Sequence, residues 1–135
     1  MAKISKTYKP TQKEKFMNAK MKEYFRQKLE QWKGELLKES SQTLNNLQTE
    51  NEAKPDMTDR ASEEIDRTFE LRTRDRERKL INKIDAALKR IEDGTYGYCE
   101  ETGEPIGLKR LEARPVATLS IEAQEMHEKA EKRLN

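Results

Sequence analysis

The chain has 135 residues, 33% hydrophobic and 40% charged, with 28 Lys and Arg against 26 Asp and Glu for a net charge of +2. That is too polar for a thick globular core, whereas an elongated helical protein needs only one apolar stripe per helix. The signs read as interspersed rather than gathered into one basic arm, so sequence-independent DNA binding is not expected, and a clear apolar period argues against disorder.

Residues 1–11, with Lys3, Lys6 and Lys9 around Tyr8 and Pro10, show no period and are expected to form a loose or packed-on arm. Thr11 is a candidate cap for a first helix. From there Phe16, Met17, Met21, Phe25, Leu29, Trp32, Leu36, Leu44 and Leu47 recur at helical steps to about residue 52, with Gly34 as a tolerated weak point. The stretch 53–62 reads as a turn. Pro55 cannot continue a helix and disfavours helical geometry at Lys54, and Asp59 is placed to cap a returning helix, followed by Glu63 and Glu64. Asp56 and Asp59 then stand at the turn, either as solvated turn residues or as functional carboxylates.

The returning segment carries Ile65, Phe69, Leu80, Ile84, Ala87, Leu88 and Ile91 before Gly94 offers a left-handed stop. If the two segments pair antiparallel, partners share a constant sum of residue numbers. Leu36 with Leu80, Trp32 with Ile84, Leu29 with Ala87, Phe25 with Ile91 and Leu47 with Phe69 obey one such rule, and its midpoint, position 58, falls in the turn. In this register Arg76 faces Glu39. Between the apolar ends Arg72–Lys79 is charged on every face and is expected to be largely solvated and salt-bridged.

After Gly94, Tyr96, Gly97, Tyr98, Gly103, Ile106 and Gly107 with Thr102-Gly-Glu-Pro105 predict a small β-hairpin. One helical turn at Leu108–Ala113 and a last helix capped by Ser120 and running to about Arg133 follow. The expected fold is mainly α: a long antiparallel two-helix coiled-coil hairpin over 12–93, with its tip at 53–62, and a small head over 94–135 with a short β-hairpin and a C-terminal helix.

Cys99-Glu-Glu-Thr102 and Ser120-Ile-Glu-Ala123 are spaced like the halves of a four-cysteine zinc site, with seventeen residues between them. Only Cys99 is a thiol, and His127 would complete no more than half a site, so no metal is expected. A lone Cys also permits no intramolecular disulfide, in keeping with a reducing compartment. No apolar run approaches a membrane span and residues 1–6 lack the apolar core of a secretory signal, so a cytoplasmic protein is expected. No nucleophile–base pattern or phosphate-binding Gly-rich motif appears, and no enzymatic activity is expected.

Four strings, Asp56-x-x-Asp59-Arg-Ala61, Glu70-Leu-Arg-x-Arg-Asp-Arg-Glu-Arg-Lys-Leu-Ile81, Gly97-Tyr-Cys99 and Ile106-Gly-Leu-Lys-Arg-Leu-Glu-Ala-Arg-Pro115, occur in order. Over about Trp32 to Met126 they resemble the DksA family (DksA/TraR type) of bacterial RNA polymerase-binding transcription factors. The resemblance implies a coiled-coil hairpin on a head that usually carries a four-cysteine zinc finger, here reduced to Cys99, Thr102, Ser120 and Ala123, as in a zinc-independent member. It implies entry of the hairpin into the polymerase secondary channel between β and β′, with Asp56, Asp59 and Ala61 as tip residues near the active centre. It also implies modulation of open-complex stability in the stringent response with ppGpp as effector and no stably bound cofactor, and a monomer that reads no DNA sequence. By match, Arg76, Leu80, Lys83 and Arg114 are candidates for the ppGpp interface, where a polyanion needs clustered basic donors. Arg114 also reads as a head-packing residue beside Pro115. Gln124 and Ala53 depart from the usual family residues and imply weaker coupling to ppGpp. The other readings are a Gre-type transcript-cleavage stimulator, in which paired tip acids hold magnesium, and an interaction coiled coil unrelated to polymerase.

Overall fold

The computed structural model describes residues 3–52 and 57–134, with side chains described except at 43, 44, 46–52 and 57–60. It is mainly helical: α1 (Ala19–Glu52), α2 (Met57–Asp93), α3 (Leu108–Ala113) and α4 (Ile121–Leu134). The turn residues Lys54, Pro55 and Asp56 lie outside the described residues.

The chain divides into two compact units, Met1–Leu29 with Ile84–Asn135, and Glu30–Lys83. The first holds most of the core: Met21, Phe25 and Leu29 of α1, Ile84 and Ala87 of α2, and Tyr96, Ile106 and Leu111 beyond it are all buried. In the second, Leu36 is buried and Leu80 half-buried.

The first helix begins later than expected. Its cap is Asn18, whose Oδ1 accepts the Met21 amide at 2.9 Å, whereas Thr11 closes a small turn in which Glu14 accepts its amide at 2.8 Å and its hydroxyl at 3.3 Å. Met17 interrupts any earlier helix with φ 55, a left-handed conformation unusual for a side chain of its size. Tertiary packing holds it there: Met17 is buried, and a Cβ at Gly97 would lie 3.0 Å from its Cγ. Residues 3–18 are therefore a packed-on arm rather than helix.

At the start of α2, Asp59 stands inside the first turn instead of capping it. Either position gives a carboxylate a favourable place against the helix dipole, which is why sequence alone does not choose between them. The end of α2 is as predicted. Gly94 takes φ 82, and the Thr95 and Tyr96 amides both donate to the Arg90 carbonyl at 2.9 and 3.2 Å.

The apolar seam of α2 runs differently from its sequence reading. Among its described side chains the buried and half-buried positions include 63, 70, 77, 84 and 91 and 73, 80 and 87, two seven-residue series, joined near the end of the helix by Ile81, Leu88 and Arg90. Ile65 and Phe69 fall off this repeat and are 71% and 68% exposed. The half-buried places in this stretch go to Glu63, Glu70, Thr73 and Glu77, the last two within the run 72–79 expected to be solvated, and Oε2 of Glu70 and of Glu77 is buried without a hydrogen-bond partner. Burying a carboxylate oxygen without a partner is costly, so this stretch of α2 holds its register against its own local chemistry.

The expected β-hairpin reduces to one antiparallel bridge, Tyr98 to Pro105, with the Cys99 amide donating to the Glu104 carbonyl at 2.8 Å and the Ile106 amide to the Gly97 carbonyl at 2.8 Å. Pro105 has no amide to extend the ladder. Helices α3 and α4 stand where they were predicted, α4 capped by Ser120 Oγ accepting the Ala123 amide at 3.2 Å.

Two outcomes follow. Glu77→Leu should stabilise the protein by about 1 kcal/mol or more, whereas Ile84→Asp, which puts an unpaired charge at a fully buried position, should cost about 3 kcal/mol or more. Urea melts of both variants check this, and a destabilised Glu77→Leu would show that its carboxylate is satisfied. On α1, hydrogen bonds from Arg26, helped by Gln27, hold Glu23 down at about 2 from its ordinary 4.5. A lowered folded-state value stabilises above about pH 4.5 and the contribution is lost as pH falls toward about 2. The difference in melting temperature between parent and Glu23→Gln should narrow across that window, and a constant difference would refute the pairing.

Candidate functional site

On α2 the candidates Arg76, Leu80 and Lys83 are spaced at four and three residues, so they share one helix face. Arg76 and Lys83 are exposed and Leu80 is half-buried. Farther toward the start of α2, Ala61 is exposed and lines a groove of about 560 Å³ with Glu64, Ile65, Thr68, Phe69 and Arg72. The off-register Ile65 and Phe69 thus form an exposed apolar strip on α2 that the sequence pattern had assigned to the core. Asp56 lies outside the described residues, and of Asp59 only the helical backbone is described.

Arg114 belongs to the other unit. It is the C-cap of α3, its amide donating to the Arg110 carbonyl at 2.7 Å, and its side chain is exposed, so it is not the head-packing residue its place beside Pro115 suggested. Arg110 takes the packing role instead, with Nε donating to the Leu119 carbonyl at 2.9 Å. Glu112 was not foreseen. It accepts from Lys28 Nζ at 2.7 Å and Tyr24 Oη at 3.1 Å, tying α3 to α1, and it helps burial push the Tyr24 hydroxyl up to about 12. No local pattern links residues so far apart in the chain.

Of the four positions with zinc-site spacing, Thr102 and Ser120 present polar groups to the Cys99 thiol. The Cys99 thiol is 3% exposed and is drawn down from 9.0 to about 6, first by the Thr102 hydroxyl and then by the Ser120 amide, with the Thr102 and Glu101 amides adding to them. The Glu100 amide donates to the Thr118 carbonyl at 2.9 Å and fastens the two halves together. Ser120 and Ala123 are buried, whereas Thr102 is exposed and accepts the Glu104 amide at 3.2 Å. His127 is engaged by the Glu101 carboxylate.

With this geometry in hand, comparison with known proteins is decisive. Residues 21–91 match the family described as DnaK suppressor protein DksA, N-terminal domain, and residues 94–129 the prokaryotic dksA/traR C4-type zinc finger. The chain belongs to the DksA family. It is 64% identical over 125 residues, 93% of this chain and 88% of the other, to the RNA polymerase-binding transcription factor DksA of Caulobacter vibrioides. To the protein of that name in Escherichia coli K12 it is 46% identical over 121 residues, 90% and 80% of the two chains. The structure of transcription factor DksA2 from Pseudomonas aeruginosa is similar to it with a TM-score of 0.83 and 43% identity, covering 87% of this chain and 90% of that one.

The DksA zinc-finger match implies a metal that the residues here do not fit. A closed zinc site takes four thiolate or imidazole donors. Here Ala123 offers a methyl group, the Ser120 and Thr102 hydroxyls already accept backbone amides, and among the described residues no three His, Cys, Asp or Glu are grouped to hold a metal ion. In this part of the DksA fold a buried hydrogen bond adds to the apolar packing. Tyr96, 2% exposed, donates its hydroxyl to the Pro115 carbonyl at 2.8 Å. Tyr96→Phe should therefore lower stability by about 1–3 kcal/mol through the stranded carbonyl, as read from thermal melts, and an unchanged melt would show that water replaces the bond.

Proposed function

We propose that this chain is a bacterial transcription factor that binds RNA polymerase through its secondary channel and modulates open-complex stability together with ppGpp in the stringent response. The observation that carries the proposal is 64% identity over 93% of the chain to a relative named RNA polymerase-binding transcription factor. In this reading α1 and α2 belong to an antiparallel coiled-coil hairpin with its tip at 53–62, acting as a cytoplasmic monomer between β and β′. No helix among the described residues is long and apolar enough to cross a membrane.

Asp56, Asp59 and Ala61 form the acting tip. A carboxylate near a metal-dependent active centre works by charge, shifting the balance between mobile elements without doing chemistry of its own. Arg76, Leu80, Lys83 and Arg114 contribute this protein's share of a ppGpp site completed by polymerase. The exposure of Arg76, Lys83 and Arg114 supports this, because a polyanion is bound by cations that are free to reach it. The protein needs no zinc. Metal analysis should find none held stoichiometrically, and a chelator should leave the melting transition in place; one tightly held zinc per chain would refute this.

The decisive variant is Asp59→Asn. It keeps size and removes charge, at a folding cost of about 0.3–1 kcal/mol for a first-turn carboxylate. Tagged parent and variant should retain polymerase from a bacterial lysate equally, while only the parent shortens open-complex lifetime at a ribosomal RNA promoter. Equal lifetimes would reduce Asp59 to a turn residue. Failure of the parent to retain polymerase would overturn the proposal, and shortening of RNA in a stalled elongation complex would turn it toward transcript cleavage.

A further inference from the structure

The net charge of +2 conceals an uneven distribution that corrects the reading of evenly mixed signs. Residues 1–28 carry nine Lys and Arg against two acids, and residues 29–135 carry nineteen against twenty-four. Both acids of the first segment are engaged. Glu14 accepts from Tyr8 Oη at 3.0 Å and from the Thr11 amide at 2.8 Å, and Glu23 accepts from Arg26 at 2.5 Å and from Gln27 at 3.0 Å. Lys28 is paired with Glu112, and Lys20 is the cation whose charge reaches Glu14. Among the described residues Lys3, Lys6, Lys9, Lys13, Lys15 and Lys22 make no ion pair, and all but the half-buried Lys22 are exposed.

These ammonium groups sit on backbone that is already positioned. Tyr8 packs edge-on to Tyr24 at 6.1 Å, Phe16 edge-on to Tyr98 at 5.6 Å, and Met17 is buried against Gly97. An anion meeting this segment therefore does not have to order a loose tail first, which is the usual cost of binding by basic arms.

The residue types distinguish between anionic partners. A protein partner is held by a buried apolar or aromatic anchor, and lysine is depleted in such interfaces. Among the described residues every highly exposed large hydrophobic lies at Leu37 or beyond, so the lysine-rich segment presents no anchor. A phosphate backbone needs none, because it offers a dense line of charge that lysine binds as a point cation. We propose that residues 3–22 bind the sugar–phosphate backbone of a nucleic acid without reading its sequence. This inference stands independently of polymerase binding.

The test is fluorescence anisotropy of the full chain with a labelled mixed-sequence DNA duplex and, separately, a labelled single-stranded RNA, titrated at several salt concentrations. A variant with Lys3, Lys6, Lys9, Lys13, Lys15 and Lys22 all changed to Gln should bind at least about tenfold more weakly at low salt, with a log–log salt slope shallower by about 0.9 per lost contact on duplex DNA and about 0.7 on RNA. The same six positions changed to Arg should keep parental affinity, which separates charge from folding. Lys129→Gln with Lys132→Gln and Arg133→Gln at the end of α4 should bind like the parent. The larger response of DNA or of RNA identifies the strand type. The proposal is overturned if the parent binds neither, if the two neutralised variants weaken equally, or if a polyglutamate peptide competes as well as nucleic acid of matched charge.

Discussion

The interior of the unit that joins both chain termini turns on Tyr96. Its ring lies 5.6 Å from Phe25 of α1 and its hydroxyl donates to the Pro115 carbonyl, so one side chain links α1, the turn after α2 and the segment between α3 and α4. Burial pushes that hydroxyl well above its ordinary range, which keeps it a donor at every pH the protein meets. In a chain with so few apolar residues, a large ring that fills space and satisfies a buried carbonyl does the work of several aliphatic side chains. Gly94 and Gly97, both at positive φ, place it there: the first ends α2, and the second leaves room for Met17.

The same economy explains how this DksA-family head holds its shape with one cysteine. In a four-thiolate site the metal supplies a large part of the folding free energy. Here the loop around Cys99 is closed by amides and hydroxyls, with Ser120 both capping α4 and contributing its own amide to the thiol. Tyr96, Ile106, Leu111 and Ala123 are buried in the same unit and add apolar packing to these bonds.

Along α2 stability gives way to something else. The seven-residue repeat puts Glu70 and Glu77 inward, while Ile65 and Phe69, which would have suited those places, are held outward. A helix governed by its own stability would slip toward the apolar choice. Glu70 and Glu77 stand in the same seven-residue series as Ile84, and Thr73 and Leu80 in that of Ala87, whereas Ile65 and Phe69 belong to neither. The outward strip and the Arg72 beside it are thereby left open on the groove that Ala61 lines.

Sequence alone determined what depends on neighbours in the chain. The stop at Gly94, the Ser120 cap, the short α3, the end of α1 and the DksA-type strings were all legible, because backbone geometry and capping are decided within a few residues. The candidates Arg76, Leu80 and Lys83 came from the resemblance to the DksA family, and their spacing along α2 puts them on one helix face. What only tertiary structure decided depends on partners far away in the chain. Thr11 and Asn18 are equally good caps until Met17 is pressed against Gly97. Ile65 and Phe69 look like core until they are found exposed while Oε2 of Glu70 and Glu77 is buried. Arg114 keeps a packing reading beside Pro115 until its side chain is found exposed and Arg110 donating to the Leu119 carbonyl, and Glu14 and Glu23 look open to the neighbouring lysines until they are found engaged by Tyr8 and Thr11 and by Arg26. Local chemistry sets which conformations each segment can take, but the choice among near-equal alternatives is made by packing energy, and packing is not a property of any one segment.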